Sequence, residues 1–300
     1  VSVLVHLIVM LGMFVIVPLG LRLIDGPQPA GLRLLRRAWP LLAVPGAVAL
    51  WLPRSPAAAG AAAVYALATV ALALHAPARR LATLPRPAPG SGPPARHLPR
   101  PSEIAVLTAL VTPSVAGLAL VAERAGYELF GFDLDILALT VPHFHYAGFA
   151  AALVAGLVCR TADGPAARFA ALSVPVGTLL VLLGYFVDDW AELVGALVLT
   201  AGMWAVALAT WRDVRAHTPD PVARALLAVS AAVLAATMLL ALSWALGEAT
   251  GLPHPSLTWM AATHGLGNAL GFALCSVLAW HRLRARPLTP ARPVRTETAA

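Results

Sequence analysis

Three histidines, a tyrosine and an asparagine interrupt two long apolar runs of this chain. In "LTVPHFHYAGF" they are His143, His145 and Tyr146, and in "WMAATHGLGNALGF" they are His264 and Asn268. Imidazole titrates near neutral pH, so it can exchange a proton or hold a metal where Leu or Val can do neither. His143 and His264 are the candidate acid and base, with Tyr146 as proton donor and Asn268 orienting a substrate oxygen or an imidazole. The same histidines as metal ligands are the alternative chemistry. There is no HExxH, no HxxxH and no run of histidine boxes, so no metal or cofactor is assigned.

Spacing limits which of these groups can cooperate. On a regular helix His143 and Tyr146 lie about 60° apart, whereas His143 and His145 lie about 160° apart and cannot share one ion. Pro142 loosens that geometry, because it removes a hydrogen bond and can kink the helix. His264 and Asn268 are i, i+4 neighbours on one face. Gly267 and Gly271 form a GxxxG that lets another helix approach closely and brings its side chains toward His264.

The elements that carry these motifs belong in a bilayer. Hydrophobic residues make up 59% of the 300 and charged residues 12%, with a mean hydropathy of +0.79, far from a soluble domain. All 21 basic residues are arginine. They lie in loops as topology signals and not on a soluble basic face, which excludes nucleic acid as partner. Cys159 and Cys275 fall in apolar segments and indicate neither a disulfide framework nor a zinc pair.

A span needs about 20 apolar residues. Nine candidates meet or approach this, near 2–21, 39–52, 57–76, 103–122, 135–158, 170–187, 190–211, 224–246 and 257–280. The first reads as a retained helix, not a signal peptide. The second is short and carries Pro40 and Pro45, so a tilted, broken or re-entrant segment is the alternative there. Loops after the odd-numbered spans, with the C-terminal tail, hold 19 of the 21 arginines, leaving only Arg54 and Arg124 opposite. That asymmetry predicts an all-α polytopic bundle of about nine spans in a bacterial cytoplasmic membrane, N-terminus outside and C-terminus cytoplasmic. The organisation expected is three N-terminal spans (1–76), a Pro- and Arg-rich cytoplasmic linker (77–102), a motif-bearing bundle (103–281) and a basic tail (282–300).

With that topology the two motifs share a depth. His143, His145 and Tyr146 lie roughly 12 to 17 Å below the outer end of their helix, and His264 and Asn268 roughly 10 to 17 Å below theirs. Asp133 and Asp135 border the mouth of the fifth span, and Asp188 and Asp189 form the turn between the sixth and seventh. Together with His145 they are the candidate substrate-binding groups of an outward-opening vestibule. Trp190, Trp244 and Trp259 are placed in the interfacial aromatic belt.

At these residues the chain resembles the YndJ-like family of bacterial multi-pass membrane proteins. The resemblance rests on the two quoted motifs and covers roughly residues 103–280; Pro142 stands where a small or β-branched residue is expected. It implies a helical membrane bundle in which His143, His145, Tyr146, His264 and Asn268 are the distinctive positions. Transporter is a label attached to such proteins.

Three functional classes follow, beside the plainer reading in which each histidine makes an interhelical hydrogen bond. A membrane enzyme would act on a small or lipophilic substrate. A proton-coupled carrier would use the histidines as a relay, with Pro113, Pro142 and Pro175 breaking the helices that line its path. A haem-binding sensor would use them as axial ligands. No internal repeat supports the carrier, and oligomeric state is not written in the sequence.

Overall fold

Within a bilayer a chain must close its backbone hydrogen bonds internally, and this one does so with helices. The computed structural model describes residues 2–25, 30–82, 98–162 and 164–285, among which there is no strand. Among the described residues eight helices are long and apolar enough to cross a membrane: α1 Val3–Leu23, α3 Pro56–Ala82, α4 Pro101–Ala125, α5 Leu134–Thr161, α6 Pro165–Gly184, α7 Asp189–Val214, α8 Pro221–Thr250 and α9 Leu257–Ala285. A further helix, α2, spans Ala30–Trp51. The chain is an all-α polytopic membrane bundle.

The short second segment expected at 39–52 is in fact 22 residues long and unbroken, with Pro40 and Pro45 inside it. Its first half carries Arg33, Arg36 and Arg37, which hid it from an apolar count. Tertiary contacts compensate for the two missing amides. Trp39 is fully buried and donates Nε1–H to the Met13 carbonyl of α1 at 2.9 Å, and Gly46 lies against the Tyr65 ring of α3. The third helix also runs past the boundary drawn at 76, to Ala82. Of the linker and tail, residues 83–97 and 286–300 lie outside the described residues.

Two charge clusters show which helix ends share a face. At one face Arg79 is buried and forks onto Glu103, Nε to Oε1 at 2.7 Å and Nη2 to Oε2 at 3.0 Å, while Nη1 reaches the Asp25 carbonyl at 2.6 Å. Asp25 also pairs with Arg160 and Arg284. The ends of α1, α3, α5 and α9 and the start of α4 are thereby at one level. On the same face Arg282 meets Asp220 at 2.9 Å, and Asp220 caps α8 through the amides of Val222 and Ala223. At the other face Glu123 is buried between Arg54, at 3.0 Å, and Arg124. Arg124 further donates to the carbonyls of Ala49, Leu50 and Leu52 at the end of α2. Because α2 joins one face to the other, it traverses the bundle with the remaining eight.

Glycine sets the closest helix pair. A Cβ on Gly177 or Gly184 of α6 would lie 2.5 Å from backbone atoms of Leu199 or Glu192, and one on Gly195 of α7 would lie 2.5 Å from the backbone of Val181. One on Gly202 would lie 2.5 Å from Ser173 Oγ. Within each helix the two glycines are seven residues apart, so they line one seam and let the two backbones touch.

Candidate functional site

Both motif helices depart from α geometry at the motif itself. Phe144–Ala150 of α5 is π-helical, directly after Pro142. Ala261–Gly265 and Gly267–Leu274 of α9 are π-helical as well. Proline withdraws one amide from the ladder, and the i→i+5 turn absorbs the resulting mismatch. Such turns widen the helix and re-aim its side chains, which fixed rotation per residue does not foresee.

The last helix acquires its neighbour as the GxxxG spacing predicts. Gly271 lies against Val233 and Gly267 against Thr237, so α8 approaches α9 at these two positions. Thr237 then serves both polar groups of α9. Its carbonyl lies 2.9 Å from Nδ1 of His264, and its hydroxyl donates to Oδ1 of Asn268 at 2.9 Å. A carbonyl cannot donate, so Nδ1 of His264 carries the hydrogen and Nε2 holds the free electron pair. The Asn268 amide nitrogen lies 3.2 Å from that Nε2.

His143 and His264 line one cavity of about 230 Å³, together with Tyr146 and Asn268. Its wall is mostly aliphatic and methionine side chains, from Val5 and Ile8 of α1 to Met203 of α7 and Met238 of α8. Nε2 of His143 is buried and has no hydrogen-bond partner. Tyr146 donates its hydroxyl hydrogen to the Ile8 carbonyl at 2.8 Å, which ties α5 to α1 and commits the proton that the sequence assigned to donation. The cavity occupies the half of the bundle that begins at Leu257 of α9 and Glu192 of α7; it reaches Phe272, 15 residues or roughly 22 Å along α9, and Met203, 11 residues or roughly 16 Å along α7.

The other sequence candidates stand elsewhere. His145 is fully buried on the far side of α5, against Gly12 of α1. Its Nδ1 donates to the Val141 carbonyl at 2.7 Å, and its Nε2 accepts from the Tyr65 hydroxyl at 2.6 Å. Both nitrogens are therefore satisfied within the protein, away from the cavity. Asp133, Asp135, Asp188 and Asp189 are exposed and none lines the cavity. Asp188 caps α7, accepting from the Ala191 amide at 2.8 Å. No group of three or more His, Cys, Asp or Glu side chains is placed to hold a metal ion among the described residues.

Three further residues line the cavity. Glu192 and Tyr185 come from the α6–α7 turn, and Trp244 comes from α8. Glu192, in the first turn of α7, is half-buried because the glycine seam draws α7 against α6. Trp244, which the sequence places in the interfacial belt, faces the cavity and meets His254 edge-on, ring centroids 4.7 Å apart, whereas Trp190 and Trp259 are exposed. Nothing in the spacing of either residue identifies a partner helix, so only the packing reveals them.

A family model described as YndJ-like protein matches residues 7–272, most of the chain and every residue named around the cavity except Val5. No curated protein and no solved structure matches it.

Proposed function

This chain belongs to the YndJ-like family, and from the cavity it encloses we propose that it binds a small or lipophilic molecule and exchanges a proton with it through His143 and His264. The observation that carries this reading is the unpartnered Nε2 of His143, buried at a cavity whose opposite side bears a second imidazole. A buried polar nitrogen without a partner costs about 1–3 kcal/mol. A site that keeps such a group in place is better explained by a ligand that satisfies it than by packing alone. His264 complements it. With Nδ1 fixed as donor by Thr237, its Nε2 is the basic atom, and the Asn268 amide donates to its one lone pair until a ligand hydrogen takes that place.

In this reading the ligand's polar group lies between the two imidazoles, one donating and one accepting. Tyr146, its hydrogen committed to Ile8, offers an oxygen that accepts. The apolar wall excludes water and selects an apolar body. The arginine asymmetry supports an orientation in which the cavity opens outward from a bacterial cytoplasmic membrane, so the ligand enters from the outer side or the outer leaflet.

A proton-coupled carrier working through the same histidines is the second reading. The π turns in both motif helices and Pro142 favour it, because interrupted helices are where transporters place their sites.

The test is extraction of the protein from native membranes into nanodiscs, followed by mass spectrometry of whatever is retained. A molecule held by the wild type and by Asp188→Asn, and reduced at least tenfold in His143→Leu and His264→Leu, supports the site. Equal retention by all four would sink it. Uptake of that molecule into proteoliposomes, driven by a pH gradient, would select the carrier.

A further inference from the structure

The mouth of the cavity is chemically unlike its floor. Glu192, Tyr185 and Trp244 line it there, one carboxylate among two aromatic rings. The Tyr185 hydroxyl is close enough to the Glu192 carboxylate to interact with it, and Tyr185 is steadied by an edge contact with Phe132, centroids 6.3 Å apart. Trp244 is steadied by His254, whose Nε2 lies 3.1 Å from Glu248. Glu248 and Asp189 are both close enough to add negative potential at Glu192.

Glu192 differs from the other carboxylates that are withdrawn from water. Glu103 is met by Arg79, Glu123 by Arg54 and Arg124, and Asp220 by Arg282. Among the described residues Glu192 has the Tyr185 hydroxyl and no arginine or histidine partner. An anion drawn into low dielectric without a counter-charge is costly, and a cation relieves that cost. Aromatic rings beside a carboxylate are the setting in which an organic cation gains most, since ring faces attract positive charge and do not compete for its hydration.

We propose that the ligand of this cavity carries a cationic head group, seated against Glu192 between Tyr185 and Trp244, with its apolar body directed toward His143 and His264. The inference rests on the binding site proposed above and names its ligand class. It assigns recognition to Glu192 and the aromatic pair, and leaves proton exchange to the histidines.

Two probes of one shape separate charge from shape: benzyltrimethylammonium, and its uncharged carbon isostere neopentylbenzene. Each is titrated by saturation-transfer NMR against the protein in zwitterionic nanodiscs, with empty nanodiscs subtracting partition into lipid. The wild type is expected to bind the cation at least tenfold more tightly than the isostere. Glu192→Gln is expected to remove that preference while leaving the isostere unchanged, and Trp244→Leu to reduce it severalfold. The wild-type comparison needs no variant to fold. Equal binding of both probes by the wild type overturns the cationic ligand and spares the cavity reading. Binding of neither overturns both.

Discussion

Tyr65 of α3 and His145 of α5 share a hydrogen bond of 2.6 Å, and the same imidazole reaches the Val141 carbonyl at 2.7 Å. Two residues earlier in the chain, His143 leaves Nε2 unpartnered at the cavity. One motif thus contains a histidine that builds the bundle and one that does not.

The two should separate in a stability measurement. His145→Leu orphans the Tyr65 hydroxyl in a fully buried place, and a loss of about 1–3 kcal/mol in unfolding free energy is expected. Tyr65→Phe orphans His145 Nε2 in the same place and should cost a similar amount, about 1–3 kcal/mol. His143→Leu removes an unpaired nitrogen, so it should leave stability unchanged or raised while abolishing ligand retention. Denaturation in mixed micelles checks all three, and a destabilised His143→Leu beside a neutral His145→Leu would reverse the assignment.

Thr237 supports α9 by two bonds, one from its hydroxyl and one from its backbone. Thr237→Val removes only the first. Interhelical hydrogen bonds in membranes average about 0.6 kcal/mol and reach about 1.7, so a loss in that range is expected. Nitrogen-15 shifts of His264 report more directly. Nδ1 should stay protonated in Thr237→Val, because its acceptor is main chain, whereas Asn268→Leu should move the Nε2 resonance.

Much of this arrangement was legible in the residues, and the reasons for the remainder are physical. Polar groups inside apolar runs had to face an interior, and that argument brought His143 and His264 together across more than a hundred residues. The GxxxG of α9 foretold a close neighbour, and Thr237 is what that neighbour contributes. The rotation between His143 and His145 also separated a cavity face from a packing face. Glu192 and Trp244 were not legible, because their place depends on how far α7 and α8 lean inward, and the glycines responsible lie on two helices whose pairing the sequence does not print. The full length of α2 was hidden for a different reason: three arginines in its first half resemble a loop until Trp39 is seen bonded to α1.

The glycine seam gives a prediction with an internal control. Gly195→Ala puts a methyl group 2.5 Å from the Val181 amide nitrogen, and main chain cannot step aside. A loss of about 1–3 kcal/mol is expected, with weaker binding at Glu192 as α7 is pushed away. Gly60→Ala, which meets nothing within 4 Å, should be neutral or stabilising by up to about 1 kcal/mol. Equal effects at both positions would show that the seam is not close-packed.

Asp220 lies just before α8 and supplies a pH dependence. Burial pushes its carboxyl up, but the Ala223 amide, the Arg282 guanidinium and the Val222 amide outweigh this, and it is held below the ordinary carboxylate value of 3.8. A group whose pKa is depressed by folding stabilises the fold above its unfolded value, and that contribution fades as pH falls through the folded one. Thermal stability measured between pH 6 and pH 3 should therefore drop at the acidic end, and Asp220→Asn should flatten that part of the curve. An unchanged profile in the variant would assign the acid sensitivity to another carboxylate.

The two sides of the cavity are built to different tolerances. On the α6–α7 side, main chain rests on main chain and nothing is left to compress. On the α9 side the backbone from Ala261 to Leu274 is wound almost throughout in five-residue rings, with only Leu266 between them. Such rings can shift along a helix by exchanging one acceptor for the next, a far smaller disturbance than separating two touching backbones. The chamber is in effect a vice with one fixed jaw, and a guest of unequal size is accommodated by α9, so amide exchange should be faster along Ala261–Leu274 than along Leu193–Met203.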